Sequence, residues 1–158
     1  MLGMSEIVVL LHNIRSAHNV GSIFRTADAA GVKKVYLSGY TPTPIDRFGR
    51  PRKDIAKTAL GAQLSVPWEY QKTPRKIITY LKKEGWDIVG LEQDARAIDY
   101  RSFKSLRPTL LILGNEVRGM SKGLRDACDT LIEIPMRGEK ESLNVSVAAG
   151  IALFHMGS

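Results

Sequence analysis

Short apolar segments alternate along this chain with segments of helical spacing, and this alternation constrains the fold more than any other feature. The runs "DIVGL" (87–91) and "TLLIL" (109–113) are nearly continuous in apolar residues, which is typical of strands covered on both faces. Comparable strands are predicted at 6–11, 33–38 and 130–134, and helices at 19–31, 54–60, 74–85, 121–128 and 141–154. The pattern predicts an α/β fold in which a mostly parallel sheet carries helices on both faces.

Two polar, glycine-containing segments follow predicted strands of this sheet. The segment "GNEVRG" (114–119) comes after one strand, and "PMRGEKESLN" (135–144) comes after another. Ligands of open α/β sheets bind beyond the carboxyl ends of the strands. The sequence therefore predicts a binding site where these two segments meet.

The segment "ESLNVSVAAGIALF" (141–154) predicts a helix that is packed on nearly every side. Its larger apolar residues recur at helical spacing on one face, and smaller ones fill the positions around them, namely Leu143, Val147, Ile151 and Phe154 with Val145, Ala148, Ala149 and Ala152. Ser142 and Asn144 open the segment, and both residue types are common N-caps. A helix N-terminus also offers free amides to a ligand, so capping and ligand contact are both open for this pair.

The length and composition of the chain predict one domain, covering residues 1–158. It has 158 residues, 44% of them hydrophobic and 25% charged, as in an ordinary soluble protein. No apolar run approaches the roughly 20 residues that cross a bilayer, and no secretory signal is evident. The single cysteine, Cys128, predicts no disulfide framework. A cytoplasmic protein without a membrane segment is the simplest interpretation.

The charge of the chain predicts a polyanionic partner. There are 23 basic and 16 acidic residues, a net charge of +7, which favours nucleic acid or an acidic membrane surface. The loop "DRFGRPRKDIAK" (46–57) concentrates basic residues around the aromatic ring of Phe48: Arg47, Arg50, Arg52, Lys53 and Lys57. Such a loop is either simply solvated or a contact surface for the phosphates and bases of RNA.

Several common chemistries are excluded by missing motifs. The chain has no G-x-G-x-x-G fingerprint, no P-loop lysine and no G-x-S-x-G elbow, and its three histidines have no metal-ligand spacing. Polar residues at the ends of elements remain as candidates, namely Asn19, Arg25, Asn115, Glu116, Arg118, Ser142 and Asn144. Arg25 is unusual because it lies in an otherwise small and apolar helix. It is either a solvent-facing arginine or a guanidinium placed to contact a phosphate or a developing oxyanion.

Three separated blocks of the sequence resemble the three motifs of the SpoU (TrmH-like) RNA ribose 2′-O-methyltransferases, which belong to the SPOUT superfamily. They are "NIRSAHNVGSIFRTADAAGV" (13–32), "LILGNEVRGMS" (111–121) and "IEIPMRGEKESLNVSVAAGIALF" (132–154). The resemblance implies a SPOUT fold, in which the C-terminal segment forms a deep trefoil knot that binds S-adenosylmethionine. It also implies a homodimer in which each active site takes residues from both subunits.

The resemblance also implies roles for individual residues. Arg25 corresponds to the catalytic arginine, Asn19 to its companion in the first motif, and Glu116 to the acidic residue of the second motif. Ser142 and Asn144 correspond to the polar pair of the third. Cofactor contacts are implied at Leu91, Leu113, Gly114, Ile134, Met136, Ser142 and Leu143. No metal is implied.

The expected activity is therefore methyl transfer from S-adenosylmethionine to a ribose 2′-hydroxyl of transfer or ribosomal RNA. The chain begins almost directly at its first predicted strand, so no added RNA-binding domain is expected. Two alternatives stay open from the residues alone. One is a basic RNA-binding protein of the same fold without catalysis, and the other is a doubly wound nucleotide-binding domain, which the missing phosphate-loop glycines disfavour.

Overall fold

The computed structural model describes residues 5–158, which form seven strands and six α-helices. The strands are β1 (Ile7–His12), β2 (Lys34–Ser38), β3 (Trp68–Gln71), β4 (Asp87–Leu91), β5 (Ile98–Asp99), β6 (Thr109–Leu113) and β7 (Thr130–Glu133). The helices are α1 (Ala17–Ala30), α2 (Lys53–Ala59), α3 (Ala62–Ser65), α4 (Pro74–Lys83), α5 (Lys122–Asp126) and α6 (Val145–Met156), and one 3₁₀ turn spans Tyr100–Ser102.

The strands form one parallel sheet in the order β3-β2-β1-β6-β4-β7-β5. All five predicted strands are present, and the predicted parallel α/β class is confirmed. Sequence patterning missed the two edge strands, β3 and β5. β3 has the polar sequence "WEYQ" and β5 has only two residues, so neither carries the apolar run of a central strand.

Helices cover both faces of the sheet, as predicted. On one face α1, α2 and α6 bury a core around Phe24, Ile55 and Leu153 against alternate residues of the strands. On the other face α4 and α5 contribute Ile77, Ile78, Leu81 and Leu124 to a second core. Both faces of the central strands are therefore buried, which explains why β6 reads as the uninterrupted run "TLLIL".

The strand order brings the carboxyl ends of four strands together. Leu11 of β1 pairs with Leu113 of β6, Leu113 pairs with Leu91 of β4, and Leu91 pairs with Ile132 of β7. The segments that follow these residues consequently leave the sheet side by side. This edge contains both polar segments that the sequence places after strands.

Two helices begin at positions other than those predicted. α1 starts before Asn19, with Ser16 as its N-cap, whose hydroxyl accepts a hydrogen bond from the backbone amide of Asn19 at 3.1 Å. Asn144 caps α6, accepting a hydrogen bond from the Ser146 backbone amide at 2.8 Å, whereas Ser142 lies two residues before this N-cap and does not cap the helix. A Ser or Asn near a helix start is a candidate cap, but spacing alone does not fix which one closes the first turn.

The expectation that α6 is packed on nearly every side is wrong within this chain. Val147 is 50% and Phe154 is 55% exposed, and Leu143 just before the helix is also exposed. Ala149, Ala152 and Leu153 on the other side are fully buried. Val147 and Phe154 thus face away from the core, while the opposite side of α6 packs against α1.

Across residues 5–158, each helix is too short or too polar to cross a bilayer. The trefoil knot and the single-domain boundaries that the sequence suggests stay predictions.

Candidate active site

The carboxylate of Glu116 connects the segment after β6 to the start of α1. It accepts hydrogen bonds from the backbone amides of Arg15 and Ser16, each at 2.9 Å, and from the side-chain amide of Asn19 at 3.1 Å. The first amides of a helix lack partners within the helix and favour a negative charge. Glu116 therefore anchors the N-terminal end of α1 to the edge of the sheet.

These hydrogen bonds also set the protonation state of Glu116. Burial on its own would raise the pKa of this carboxyl, but the amides of Arg15 and Ser16, together with Asn19, outweigh it and leave the pKa below its usual range. Glu116 is therefore a carboxylate at neutral pH. It is suited to holding backbone donors and poorly suited to giving up a proton.

Asn19 continues this connection to the third motif. It is buried, and its side-chain oxygen accepts a hydrogen bond from the side-chain amide of Asn144 at 3.2 Å. Asn144 in turn caps α6. The chain of contacts Glu116–Asn19–Asn144 joins the three motif blocks, which confirms that these residues lie together and leaves their chemical roles as predictions.

Asn115, the second residue after β6, shapes the loop that follows this strand. Its side-chain oxygen accepts hydrogen bonds from the amides of Val117 and Arg118 at 2.9 and 2.8 Å. Its side-chain nitrogen donates to the backbone oxygen of Asn13 at 3.0 Å and to the hydroxyl of Tyr40 at 2.9 Å. The loop is thus closed on itself and attached to the segments that follow β1 and β2.

Glu92, directly after β4, fixes the far end of the same loop. Its carboxylate accepts a hydrogen bond from the Met120 amide at 2.7 Å. Gly119 has φ +67°, and a Cβ there would lie 2.5 Å from the Glu92 carboxylate. The conformation and the close approach both require glycine at this position.

A cavity of 310 Å³ lies between the segments that follow β4, β6 and β7. Four of the residues predicted to contact the cofactor line it, namely Leu91, Ile134, Ser142 and Leu143, and so does Glu116. Leu113 and Gly114 are instead buried behind the lining, where a Cβ on Gly114 would meet Met120 at 2.7 Å. Met136 lies in the segment between Ile134 and Ser142 but outside the lining.

Arg25 lies apart from this cavity. It is exposed on α1, six residues and about 9 Å of helix rise beyond Asn19. It borders a separate hollow of 510 Å³ together with Lys57 of α2 and Phe154 of α6. Within one chain, the structure therefore does not bring Arg25 to Glu116, Ser142 and Asn144.

The basic loop before α2 is exposed and partly ordered by its own contacts. The carboxylate of Asp46 accepts hydrogen bonds from the amides of Phe48 and Arg50, and the guanidinium groups of Arg47 and Arg50 lie 4.8 and 5.0 Å from the ring centre of Phe48. Arg52 is engaged with Asp54 at 2.6 Å. Lys53 and Lys57 are exposed on α2, and Lys57 extends the loop towards Arg25.

Sequence reasoning missed Glu92 and Arg15 as parts of this site. Glu92 could have been found, because it is the first residue after a predicted central strand and therefore lies at the ligand-binding edge. Arg15 contributes through its backbone amide. A backbone contact leaves no signal in the residue type.

Comparison with known proteins shows the family of the chain. The sequence profile of the SpoU rRNA Methylase family matches residues 6–154. The chain belongs to this family. It is 38% identical over 149 residues to a TrmH family protein of Staphylococcus haemolyticus, a stretch that is 94% of this chain and 57% of that protein. It is 37% identical, with the same coverage, to a 23S rRNA (guanosine-2′-O-)-methyltransferase of Ralstonia nicotianae.

Solved structures agree with this membership. The AdoMet-bound rRNA methyltransferase of Sinorhizobium meliloti has a TM-score of 0.86 and 31% identity, over 98% of this chain and 56% of that one. The TrmH/SpoU tRNA modifying enzyme of A. aeolicus has a TM-score of 0.84 and 29% identity, over 97% and 74%. This SpoU family chain spans 57% of the length of the curated relatives it matches.

Proposed function

We propose that this SpoU family protein transfers a methyl group from S-adenosylmethionine to a ribose 2′-hydroxyl of transfer or ribosomal RNA. The observation that carries the proposal is the cavity beyond β4, β6 and β7, which the second and third motif blocks line together. The AdoMet-bound state of the S. meliloti relative and the 2′-O activity named for the R. nicotianae relative support it.

The residues around the cavity fit S-adenosylmethionine. Leu91, Ile134 and Leu143 provide apolar walls, and Glu92 and Glu133 bring carboxylates to the lining. The cofactor carries an adenine ring, which suits apolar walls, and positive charges on its sulfonium and ammonium groups, which carboxylates attract. When bound, S-adenosylmethionine supplies an activated methyl group to the acceptor oxygen.

We place the complete active site between two copies of the chain. Arg25 borders a hollow outside the cavity, so it can act only on a cavity other than that of its own chain. Exposed apolar side chains connect the two regions along α6. Phe154 borders the Arg25 hollow, Val147 is exposed one helical turn after Leu143, and Leu143 lines the cavity. Burying this face of α6 against a second copy would remove apolar surface from water and bring each Arg25 to the partner's cavity.

In this arrangement Arg25 stabilises negative charge on the acceptor oxygen. A guanidinium stays protonated across the physiological pH range, so it donates hydrogen bonds and does not accept the hydroxyl proton. Transfer would form a bond between the methyl carbon and the ribose 2′-oxygen and break the bond between that carbon and the sulfur, and the proton of the 2′-hydroxyl would pass to solvent. Arg25 lowers the barrier by holding the developing alkoxide, and Glu116, Asn19 and Asn144 keep the surrounding elements in place.

RNA contact is proposed for the loop and helix that adjoin Arg25. Arg47, Arg50, Lys53 and Lys57 are exposed and basic, and Phe48 presents an aromatic ring between two of them. Basic groups bind phosphates and a ring can stack on a base. Arg52 contributes less to this surface because Asp54 already holds its guanidinium.

Cofactor binding and methyl transfer test the proposal in two steps. Calorimetric titration with S-adenosylmethionine and its demethylated product should show binding, while ATP as a control should show none. Purified transfer and ribosomal RNA are then incubated with the protein and methyl-labelled cofactor. A label retained in nucleotides that resist alkaline hydrolysis places the methyl group on a ribose 2′-oxygen.

Each result separates the candidate functions. Cofactor binding with label on a base would refute 2′-O transfer and keep a methyltransferase. No cofactor binding by the folded protein, with RNA bound, would favour a non-catalytic RNA-binding protein of this fold.

A further inference from the structure

A cluster of unpaired positive charge lies on and just before α4, a helix outside all three motif blocks. Residues 72–84 contain five basic residues against the single acidic Glu84: Lys72, Arg75, Lys76, Lys82 and Lys83. All five side chains are exposed and have no carboxylate within 4.0 Å in the described part of the chain. By contrast, Arg96, Arg101 and Arg107 are all neutralised by neighbouring aspartates.

Folding orders these charges into two stripes. Ile77, Ile78 and Leu81 bury one side of α4 against the sheet. Arg75 and Lys82, seven residues apart, lie on the side that faces α5 and line a cavity of 280 Å³ with Thr79 and His12. Lys76 and Lys83 have the same separation on the other side of the helix. Each stripe therefore presents two cations about 10 Å apart along the helix.

An aromatic ring lies between the cations of the second stripe. Tyr80, four residues after Lys76 and three before Lys83, is 59% exposed. It borders a shallow hollow together with Lys76, Lys34 and Tyr36. An exposed tyrosine ring leaves apolar surface in contact with water, and a ring among cations suits stacking on a nucleotide base.

The position of α4 keeps this surface free in the assembly proposed above. α4 covers the sheet face opposite to α1, α2 and α6. A dimer formed through α6 would leave it open to solvent. Its first residue, Pro74, follows the carboxyl end of β3. The helix therefore starts on the side of the sheet where the strands end, which is also the side that carries the cavity for the cofactor.

We propose that the outer face of α4, with Arg75, Lys76, Tyr80, Lys82 and Lys83, is a second RNA-binding surface that holds the phosphate backbone of the substrate away from the methylated nucleotide. The proposal rests on the RNA-directed function given above. Regularly spaced unpaired cations fit the repeated phosphates of RNA, and the interposed ring fits an unstacked base.

Salt dependence of RNA binding tests this surface. The double variant Arg75→Gln/Lys82→Gln is compared with Lys33→Gln/Lys104→Gln, which removes the same charge at exposed, unpaired lysines off α4. Binding to total transfer RNA and to a single-stranded RNA oligonucleotide is measured over a series of KCl concentrations. With the single-stranded oligonucleotide, each lost phosphate contact should flatten the slope of log K against log[salt] by about 0.7, so the slope of the α4 variant should flatten by about 1.4 and that of the control should not change.

Tyr80 provides an independent measurement. Tyr80→Ala should weaken binding of the oligonucleotide roughly 5- to 150-fold, and Tyr80→Phe, which keeps the ring, should bind like the wild type. The affinity of every variant for S-adenosylmethionine should stay unchanged, since α4 does not line the cofactor cavity.

The outcomes are distinguishable. If wild-type protein binds and methylates RNA but the α4 and control variants have equal slopes, the second surface is refuted while the proposed function stands. Binding of the same variants to phosphatidylserine vesicles is measured in parallel. If the α4 variant loses binding to the vesicles but keeps its binding to RNA, the surface belongs to a membrane partner and the RNA assignment is overturned. If the wild type binds no RNA, the proposed function and this inference fail together.

Discussion

The side-chain amide of Asn19 donates a hydrogen bond to the carboxylate of Glu116 at 3.1 Å, across 97 residues of sequence. Through this contact the first motif block is held to the second, and Asn144 extends the connection to the third. Glu116, the acidic residue of the second block, thus accepts hydrogen bonds from donors at the start of α1. Substitution of Glu116 should therefore first affect the stability of the fold and the position of α1.

Glu116→Ala should destabilise the fold. Two backbone amides and the Asn19 amide lose their acceptor, and leaving partly buried donors unpaired costs about 1–3 kcal/mol. Urea unfolding followed by circular dichroism measures the loss. Asp99→Ala is a control, since that carboxylate contacts only the guanidinium and backbone amide of exposed Arg101 among the described residues and should cost less stability. Equal losses in the two variants would contradict the anchoring role.

The contribution of Glu116 should depend on pH in a defined direction. Its pKa is lowered in the folded state, so the carboxylate stabilises the fold above the ordinary glutamate pKa of about 4.3. That stabilisation is lost as the pH falls through the lower folded-state pKa. The difference in unfolding free energy between wild type and Glu116→Gln should therefore be full at pH 7 and shrink in acid. A difference that grows in acid would mean that the pKa is raised.

Gly119→Ala should weaken cofactor binding as well as stability. A residue with a side chain at φ +67° costs about 1–3 kcal/mol, and its Cβ would displace the Glu92 carboxylate that holds Met120. Gly123→Ala is the matched control, because a Cβ there meets nothing within 4 Å and the residue lies in a helix. Calorimetric titration with S-adenosylmethionine compares the two. Similar affinities would show that the loop shape does not matter to the cavity.

Val147→Glu should convert the protein to a monomer if α6 forms the interface. Val147 is 50% exposed in the single chain, so the charge is tolerated by the fold and rejected by an apolar contact. Light scattering after size-exclusion chromatography measures the mass. Leu106→Glu, at an even more exposed position away from α6, should leave the mass unchanged. A dimeric Val147→Glu protein would place the interface elsewhere.

Arg25→Lys should nearly abolish methyl transfer while keeping cofactor affinity. Lysine retains the charge but lacks the planar fork that contacts phosphate and oxyanion together. Because Arg25 is proposed to act on the acceptor oxygen and not on the cofactor, titration with S-adenosylmethionine should be little affected. Single-turnover methylation of RNA at saturating cofactor isolates the chemical step. Near-normal turnover would remove Arg25 from the proposed mechanism.

The central part of the fold was predictable because buried strands require apolar residues at successive positions. β6 and β4 are apolar runs since both of their faces are covered, and the polar segments after them identified the edge where the cavity lies. The edge strands β3 and β5 were not predictable. Each has only one neighbouring strand and is partly exposed to solvent, so neither requires a continuous run of apolar residues.

The candidate site was predictable only in part. The motif blocks led to Glu116, Asn19 and Asn144, which do lie together. The exposed side of α6 was misjudged because an apolar residue looks the same whether it packs inside its own chain or against another. Arg25 shares its helix with Asn19 but not its surroundings, and helical spacing alone does not show which neighbouring element completes a site.

The order of the strands has a consequence for how the protein is made. β1 lies beside β6, and Arg15 and Ser16 receive their acceptor from Glu116, about a hundred residues later in the chain. A ribosome releases the amino-terminal part first, so α1 emerges long before the residues that hold its beginning in place. The cavity cannot form completely until Asn144, which holds the third motif block to Asn19, has also been synthesised. A growing chain therefore completes the cavity only after the third motif block has left the ribosome.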